Sequence, residues 1–596
     1  MVRLSFKTAA LFLCISVSSY AVTEHPLEKV LLEDGSLVSY QSLLEEHKLT
    51  GLSFVVVDDY QVVFQKQLGE KAFGSEEYID ENTAFSTASI TKGIVGTLAV
   101  MLAAKGKLDL DAPVSNYLKR WSLPTSPYTA TTPITLRHLL SHTAGTTQHG
   151  FADFYQGDDI PTLIESLNGQ LPRYDKPISV TFTPGSNWSY SGGGYVIAQV
   201  AIEDLMGQSL AELAASMLFE PLGMKHTTFY QHGDEGFLTN VAKVHDHTQS
   251  VIKTGIPICP QIAPSGMWST PSDMAKFVIE MQRALAGEKT KVISQAVAEK
   301  VTMLETLEGV GGWSLGWMRY EGYGNVEWFS HGGSNTGTGG HVMGTMKGGK
   351  GIMIFGNGPN PSRIPVINKV RDSVIAQMGW SAQIEGQEKA FSSSQIKALT
   401  GRYLAPFNDV VEIRFKDKGL QMISRFFSAE MYPLKQGKFA MDDFINHFSL
   451  QMNPADGKQY ITYTREGTEL LSYAMLKLDK DQKLPAEVAK GDNVEETYAA
   501  YKQWKTSHPQ SHLLSARTIN QEGYNALNEG EVDTAITLFT VYTKLYPEDG
   551  NAFDSLAEAY KEKGNVELAI ENYQRSIALN PENEHAKNIL ETLTKR

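Results

Sequence analysis

The order of apolar and polar positions changes character along the chain, and each change predicts a different kind of structure. Leu52–Val57 and Gln61–Lys66 are short β-type runs split by Asp58-Asp59-Tyr60, which predicts a β-hairpin. Ile94, Val95, Leu98 and Leu102 then recur at helical spacing, so a helix with an apolar face begins near Ser89. Short apolar runs and longer helical patterns keep alternating over 23–380, as in an α/β or α+β layered fold. Beyond a polar boundary at 381–396, the runs shorten to Val410–Phe415, Gly419–Ile423, Gln459–Tyr463 and Leu470–Leu476. These predict a small antiparallel sheet or barrel.

The last segment is periodic on a longer scale. Gly530, Ala535, Phe539 and Pro547 recur 34 residues later as Gly564, Ala569, Tyr573 and Pro581. Small alanines let paired helices approach, the glycines allow the turn between helices, and the prolines stop each second helix. The pattern resembles the tetratricopeptide repeat, which implies two helix-turn-helix units and a capping helix over 584–594. So few repeats are expected to lean on a neighbour or a protein partner. At the other end, Arg3 and Lys7 precede the apolar run Ala9–Val17 and then Ser19-Tyr20-Ala21, which reads as an export leader. That run is too short to span a bilayer in the mature chain. The expected organisation is a signal peptide (1–21), a large domain (22–385), a small β-domain (397–480), a helical connector (485–513) and a repeat tail (514–596). The expected location is a bacterial periplasm, with an uncleaved N-terminal anchor as the alternative.

Charge and cysteine content narrow the chemistry. The 596 residues carry 53 basic and 67 acidic side chains, a net charge of -14, with no long basic run. Nucleic acid is thereby a poor partner, because phosphate neutralisation needs clustered Lys and Arg. The only cysteines are Cys14 and Cys259, which excludes a disulfide framework, a cysteine-rich zinc site and an iron–sulfur cluster.

Three segments carry candidate chemistry. In Ser89-Ile-Thr-Lys92, serine and lysine three apart on a helix share a face, so a neutral amine can accept the hydroxyl proton. The same spacing recurs at Ser394-Gln-Ile-Lys397, where nothing nearby suggests a site. In Ser189-Tyr190-Ser191-Gly192-Gly-Gly, Pro184 and the glycines suggest a tight loop that lets Tyr190 approach other backbone. A phenol held near a cation can pass a proton to a leaving group. In Phe329-Ser-His331-Gly332-Gly333-Ser334, the glycines on a strand are expected to leave room for a ligand at its edge. Three further segments, Ile134–Gly145, Phe219–Met224 and Ser265–Phe277, read as supporting the fold more than the chemistry.

Taken in this order, the segments over about 40–375 resemble the serine β-lactamase and penicillin-binding protein superfamily, in its class C β-lactamase, D-aminopeptidase and esterase branch. The resemblance implies a multidomain chain: an α+β β-lactamase/transpeptidase-like domain, an antiparallel sheet with flanking helices, then the small β-domain and the helical tail. It makes Ser89 the acylated nucleophile and Lys92 the lysine that activates it. Tyr190 corresponds to the tyrosine of the family's Tyr-x-Asn element, and His331-Gly332-Gly333 to its third motif. The backbone N–H groups of Ser89 and Ser334 form the implied oxyanion hole. The general base is left open between Lys92 and Tyr190. Gly192 stands where β-lactamases commonly carry Asn, and His331 replaces a permanently charged lysine. Both departures favour an esterase, or a peptidase acting on D-amino-acid peptides, over an efficient β-lactamase.

No cofactor or metal is expected: the chain has neither H-E-x-x-H nor G-x-S-x-G, and His245-Asp246-His247 reads as an exposed polar loop. The function implied is a secreted serine hydrolase acting on a small-molecule or peptide substrate, with the repeat tail docking a partner. The alternatives are a penicillin-interacting protein that acylates but turns over slowly, and a non-catalytic scaffold on the same fold.

Overall fold

The computed structural model describes residues 25–594, apart from 33, 171–175, 307–311, 323–325, 381–386, 406–409, 417–418, 425–427, 442–443, 455, 465–470, 509–511, 529 and 582. The expected leader over 1–21 lies outside the described residues. The chain divides into two compact units, Met1–Gln383 and Ile384–Arg596.

The first unit is built on a seven-stranded antiparallel sheet. Its strands are β1 (Gly51–Asp58), β2 (Gln61–Gly69), β3 (Gly312–Trp313), β4 (Met318–Gly322), β5 (Val326–Asn335), β6 (Thr338–Thr345) and β7 (Gly351–Gly356), in the order β2-β1-β7-β6-β5-β4-β3. The first hairpin pairs with the last strand, so β2 and β3 are the two edges of the sheet and a long helical insertion joins them. Strand β1 is apolar on both faces because both are covered. Phe54 and Val56 enter one core with α1 (Tyr40–His47) and the C-terminal helix Asn360–Gln377. Val55 and Val57 enter the other, with α2 (Thr91–Ala104), α3 (Gly192–Met206) and α4 (Pro271–Leu285). Alternate side chains of a strand point to opposite faces, so a strand between two helical layers reads as a continuous apolar run.

Helix α2 differs from the one-faced helix its spacing predicts. Residues Thr91 to Leu102 are all buried, Lys92 among them, because the helix runs through the centre of the core. The glycines 192–194 also differ from the loop predicted for them: they form the first turn of α3, capped by the Ser191 hydroxyl, which accepts from Gly194 N–H at 3.0 Å.

In the second unit, eight antiparallel strands from Gly401–Leu404 to Leu471–Lys477 close into a barrel, the fuller of the two forms the sequence allowed. Val411 and Ile413 point inward while Glu412 and Arg414 face out, and Phe448 stacks on Phe439 inside at 5.7 Å. Helices at Val494–Ser507, Ala516–Asn528, Val532–Leu545, Gly550–Glu562, Val566–Leu579 and Glu584–Thr594 follow. Ala535, Phe539, Ala569 and Tyr573 are each fully buried, so equivalent positions in the two copies do the same packing. Gly530 and Gly564 turn the chain between paired helices at φ +78° and +80°. Among the described residues, no helix is long and apolar enough to cross a membrane.

Candidate active site

Ser89 sits one turn before α2, in the tight 3₁₀ turn Ala88–Ile90. The turn is held from behind: the Thr87 hydroxyl donates to the Met267 carbonyl at 3.0 Å, and Met267 N–H donates to the Thr91 hydroxyl at 3.1 Å. Ala88 takes the left-handed conformation, φ 51°. That costs a non-glycine residue about 1 kcal/mol and persists where the surroundings impose it. Within the buried run 83–92, Ser89 alone keeps partial exposure.

The spacing of three brings Lys92 Nζ to 3.1 Å from Ser89 Oγ. Nζ also donates to the Pro264 carbonyl at 2.6 Å, and the residue is only 2% exposed. Burial pulls its pKa from the ordinary lysine range down to about 7. Once Nζ loses its proton, a lone pair faces the serine hydroxyl.

Tyr190 enters from the residue preceding the α3 cap. Its ring lies 4.9 Å from Lys92 Nζ, and Tyr195 of α3 flanks the same ammonium at 5.5 Å. Burial raises the phenol pKa, with a hydrogen bond to Ser89 acting in the opposite direction. The phenol is therefore protonated at neutral pH. Around it stand His142 at 4.2 Å, Trp313 at 5.7 Å and His331 at 6.4 Å between ring centroids.

The third motif lies on β5, as its pattern predicts. His331 Nδ1 is 2.6 Å from the Gly332 carbonyl, which can only accept, so Nδ1 carries the proton and Nε2 presents a lone pair. That Nε2 is buried without a partner. Burial first, and the Lys92 charge second, depress the His331 pKa to about 3, so the imidazole is neutral. The glycines do something other than open ligand space along the whole motif. A Cβ on Gly333 would stand 2.0 Å from the Thr87 carbonyl oxygen, so this glycine lets β5 press against the turn that holds Ser89. Gly332 alone is open, with its nearest neighbour at 4.0 Å. Ser334 follows at the strand end, where its hydroxyl donates to Asn360 Oδ1 at 2.5 Å and accepts from Arg363 Nη2 at 3.1 Å.

Gly192 also has a local reason. A Cβ there would meet the Phe151 ring at 2.9 Å and the His149 carbonyl at 3.2 Å, so the space a larger side chain would need is occupied.

The structure thus brings Ser89, Lys92, Tyr190 and His331 into one cluster and sets Ser334 directly after the Gly333 contact. It leaves Ser394 and Lys397 exposed on the short helix Ser393–Leu399. His245-Asp246-His247 is not the uniformly exposed loop expected. His245 is fully buried with Nε2 accepting from Phe73 N–H at 3.1 Å, while His247 is exposed. Sequence reasoning missed Pro264, His142, Trp313 and Arg363. Arg363 is 1% exposed and has its pKa lowered by burial to about 10. Of these, only His142 lies in a segment whose pattern stood out, Ile134–Gly145.

The family described as Beta-lactamase matches residues 39–375. The esterase EstB of Burkholderia gladioli is 26% identical over 307 residues, 47% of this chain and 77% of the esterase. The D-alanyl-D-alanine-carboxypeptidase/endopeptidase AmpH of Escherichia coli K12 is 26% identical over 287 residues, 45% of this chain and 69% of AmpH. Among solved structures, an octameric penicillin-binding protein homologue from Pyrococcus abyssi aligns at 19% identity with TM-score 0.47, covering 73% of this chain and 98% of its own.

Proposed function

The chain belongs to the beta-lactamase family, and from that premise we propose that it is a serine hydrolase working through an acyl-Ser89 intermediate. The observation that carries this is the buried Lys92 amine, shifted to about 7 and 3.1 Å from the Ser89 hydroxyl. In acylation, the Ser89 Oγ–carbon bond forms as its proton passes to neutral Lys92 Nζ. The developing oxyanion turns toward the backbone N–H groups of Ser89 and Ser334. Tyr190, protonated at neutral pH, gives its proton to the leaving alkoxide or amine as that bond breaks, and the Lys92 ammonium reprotonates it. In deacylation, water attacks the acyl carbon as Lys92 Nζ takes its proton, the Ser89 Oγ–carbon bond breaks, and the Lys92 ammonium returns the proton to Ser89 Oγ. This assigns Lys92 as the base and Tyr190 as the acid.

The substrate class proposed is an ester or an amide of the D-amino-acid peptide type. A neutral His331 offers a substrate carboxylate no fixed charge, unlike a lysine. Gly192 lacks an amide side chain to hold an acylamino group. The esterase EstB and the carboxypeptidase AmpH are consistent with that choice. The leader-like pattern of Arg3, Lys7 and the apolar run Ala9–Val17 supports export to the periplasm. The 34-residue recurrence, with its buried Ala535/Ala569 and Phe539/Tyr573 pairs, supports a tetratricopeptide tail that docks a protein partner.

The test is turnover of p-nitrophenyl butyrate and a D-amino-acid amide panel, alongside a fluorescent penicillin. Turnover of an ester or amide that Ser89→Ala abolishes supports the proposal. A stable penicillin adduct with no turnover identifies a slow acylator instead, and neither outcome leaves a binding scaffold.

A further inference from the structure

The Tyr190 ring lies 4.9 Å from Lys92 Nζ and its phenol hydrogen-bonds Ser89. The backbone on either side of Tyr190 is also held, by one residue of the 134–145 segment. The His142 carbonyl accepts from Ser189 N–H at 2.8 Å, and His142 Nδ1 accepts from Ser191 N–H at 3.1 Å. Between those two bonds the imidazole lies against the Tyr190 ring, with centroids 4.2 Å apart and planes inclined by 34°. His142 reaches this position in the left-handed conformation, φ 62°, and is 1% exposed. A second histidine, His149, bonds the Tyr190 carbonyl through Nδ1.

The tautomer follows from the partner. Ser191 N–H can only donate, so Nδ1 is the acceptor and the proton of the neutral ring is on Nε2. That Nε2 is buried with no partner. The planes of Trp188 and Trp313 stand nearly perpendicular to the imidazole, at 82° and 84°. A buried donor without a partner is costly, and a histidine serving only as core filling has no reason to keep it. Burial, together with the facing charge of Lys92 and the neighbouring His331 and His149, keeps the ring in its neutral form.

We propose that His142 is a positioning residue for Tyr190: its Nδ1 and carbonyl grip Ser191 and Ser189 so that the phenol is held in register with Ser89 and Lys92. This rests on the proposed acid role of Tyr190.

Two substitutions separate the acceptor from the ring. His142→Asn keeps a side-chain acceptor close to the Nδ1 position and tolerates positive φ, whereas His142→Phe keeps the stacked ring and removes the acceptor. Each variant, and Ser89→Ala in parallel, is assayed with p-nitrophenyl butyrate for kcat and KM and melted for Tm. The proposal expects His142→Phe to lose kcat on the order of 10²-fold, the scale of a misplaced catalytic group, with KM changed by about threefold or less. His142→Asn should recover kcat to within about tenfold of the natural protein. A His142→Phe variant with unaltered kcat would overturn the proposal, and so would Asn and Phe variants that fall together. Activity retained in Ser89→Ala would instead overturn the nucleophile assignment, whatever His142 does.

Discussion

The Ser-x-x-Lys pairs at Ser89–Lys92 and Ser394–Lys397 share little beyond their spacing. At Ser394–Lys397 both side chains lie exposed on a seven-residue helix, and Ser394 Oγ meets the neighbouring Ser392 hydroxyl at 3.0 Å. At Ser89–Lys92 the lysine is 2% exposed in a helix buried on every side, and a turn with a left-handed Ala88 presents the serine. Spacing brings the two groups within reach in either place. On the proposed mechanism, what turns Ser89 and Lys92 into a nucleophile and base is the withdrawal of water from the amine, which brings its pKa down to about 7. The chemistry belongs to the burial, and the motif only supplies the distance.

The sharpest way to break this comparison is to delete each serine. Ser89→Ala should remove hydrolysis of p-nitrophenyl butyrate, a loss of about 10⁴-fold or more, while Ser394→Ala leaves it unchanged; a steady-state assay of the two variants decides it. Next come the lysines. Lys92→Arg replaces a group that can be neutral with one that cannot, so kcat should fall by about 10²–10⁴-fold. Lys397→Arg should have no effect on the same assay.

Gly333 tests the contact that seats the nucleophile's turn. Gly333→Ala drives a methyl into the Thr87 carbonyl, 2.0 Å away, and should cost about tenfold or more in kcat/KM. Gly332→Ala, with nothing nearer than 4.0 Å, should cost less.

A further test is the pH dependence. In the proposed mechanism the working form of Lys92 is the deprotonated one, and its folded pKa is lowered from 10.5 to about 7. Activity should therefore rise with pH through about 7 and level off above it, falling about tenfold per unit on the acid side. His331, already neutral above about 3, adds no second limb in that window. A profile flat from pH 5 to 9 would contradict Lys92 as the base.

Much of this was legible in the sequence where pattern and structure share a period. The β1–β2 hairpin, the barrel strands and the placement of His331 on a strand follow from alternation and turn residues. Helix α2 was legible only in part, since Gly93, Gly96 and Thr97 are buried without registering as apolar. The glycines 192–194 read as a loop because glycine marks both turns and close approach, and here they start a helix. Arg363 and His142 were hidden for a different reason. A buried arginine or histidine is defined by partners far along the chain, such as Ser334 for Arg363 and Ser189 and Ser191 for His142.

The central claim is that Ser89, and not Ser394, is the group that burial has made reactive. The most direct measurement is peptide mapping by mass spectrometry after reaction with a fluorophosphonate probe at pH 8. The account predicts one adduct per chain, on the peptide carrying Ser89, that disappears in Ser89→Ala and forms more slowly in Lys92→Arg. An adduct on Ser394 or on any other serine, or labelling that survives Ser89→Ala, would contradict it.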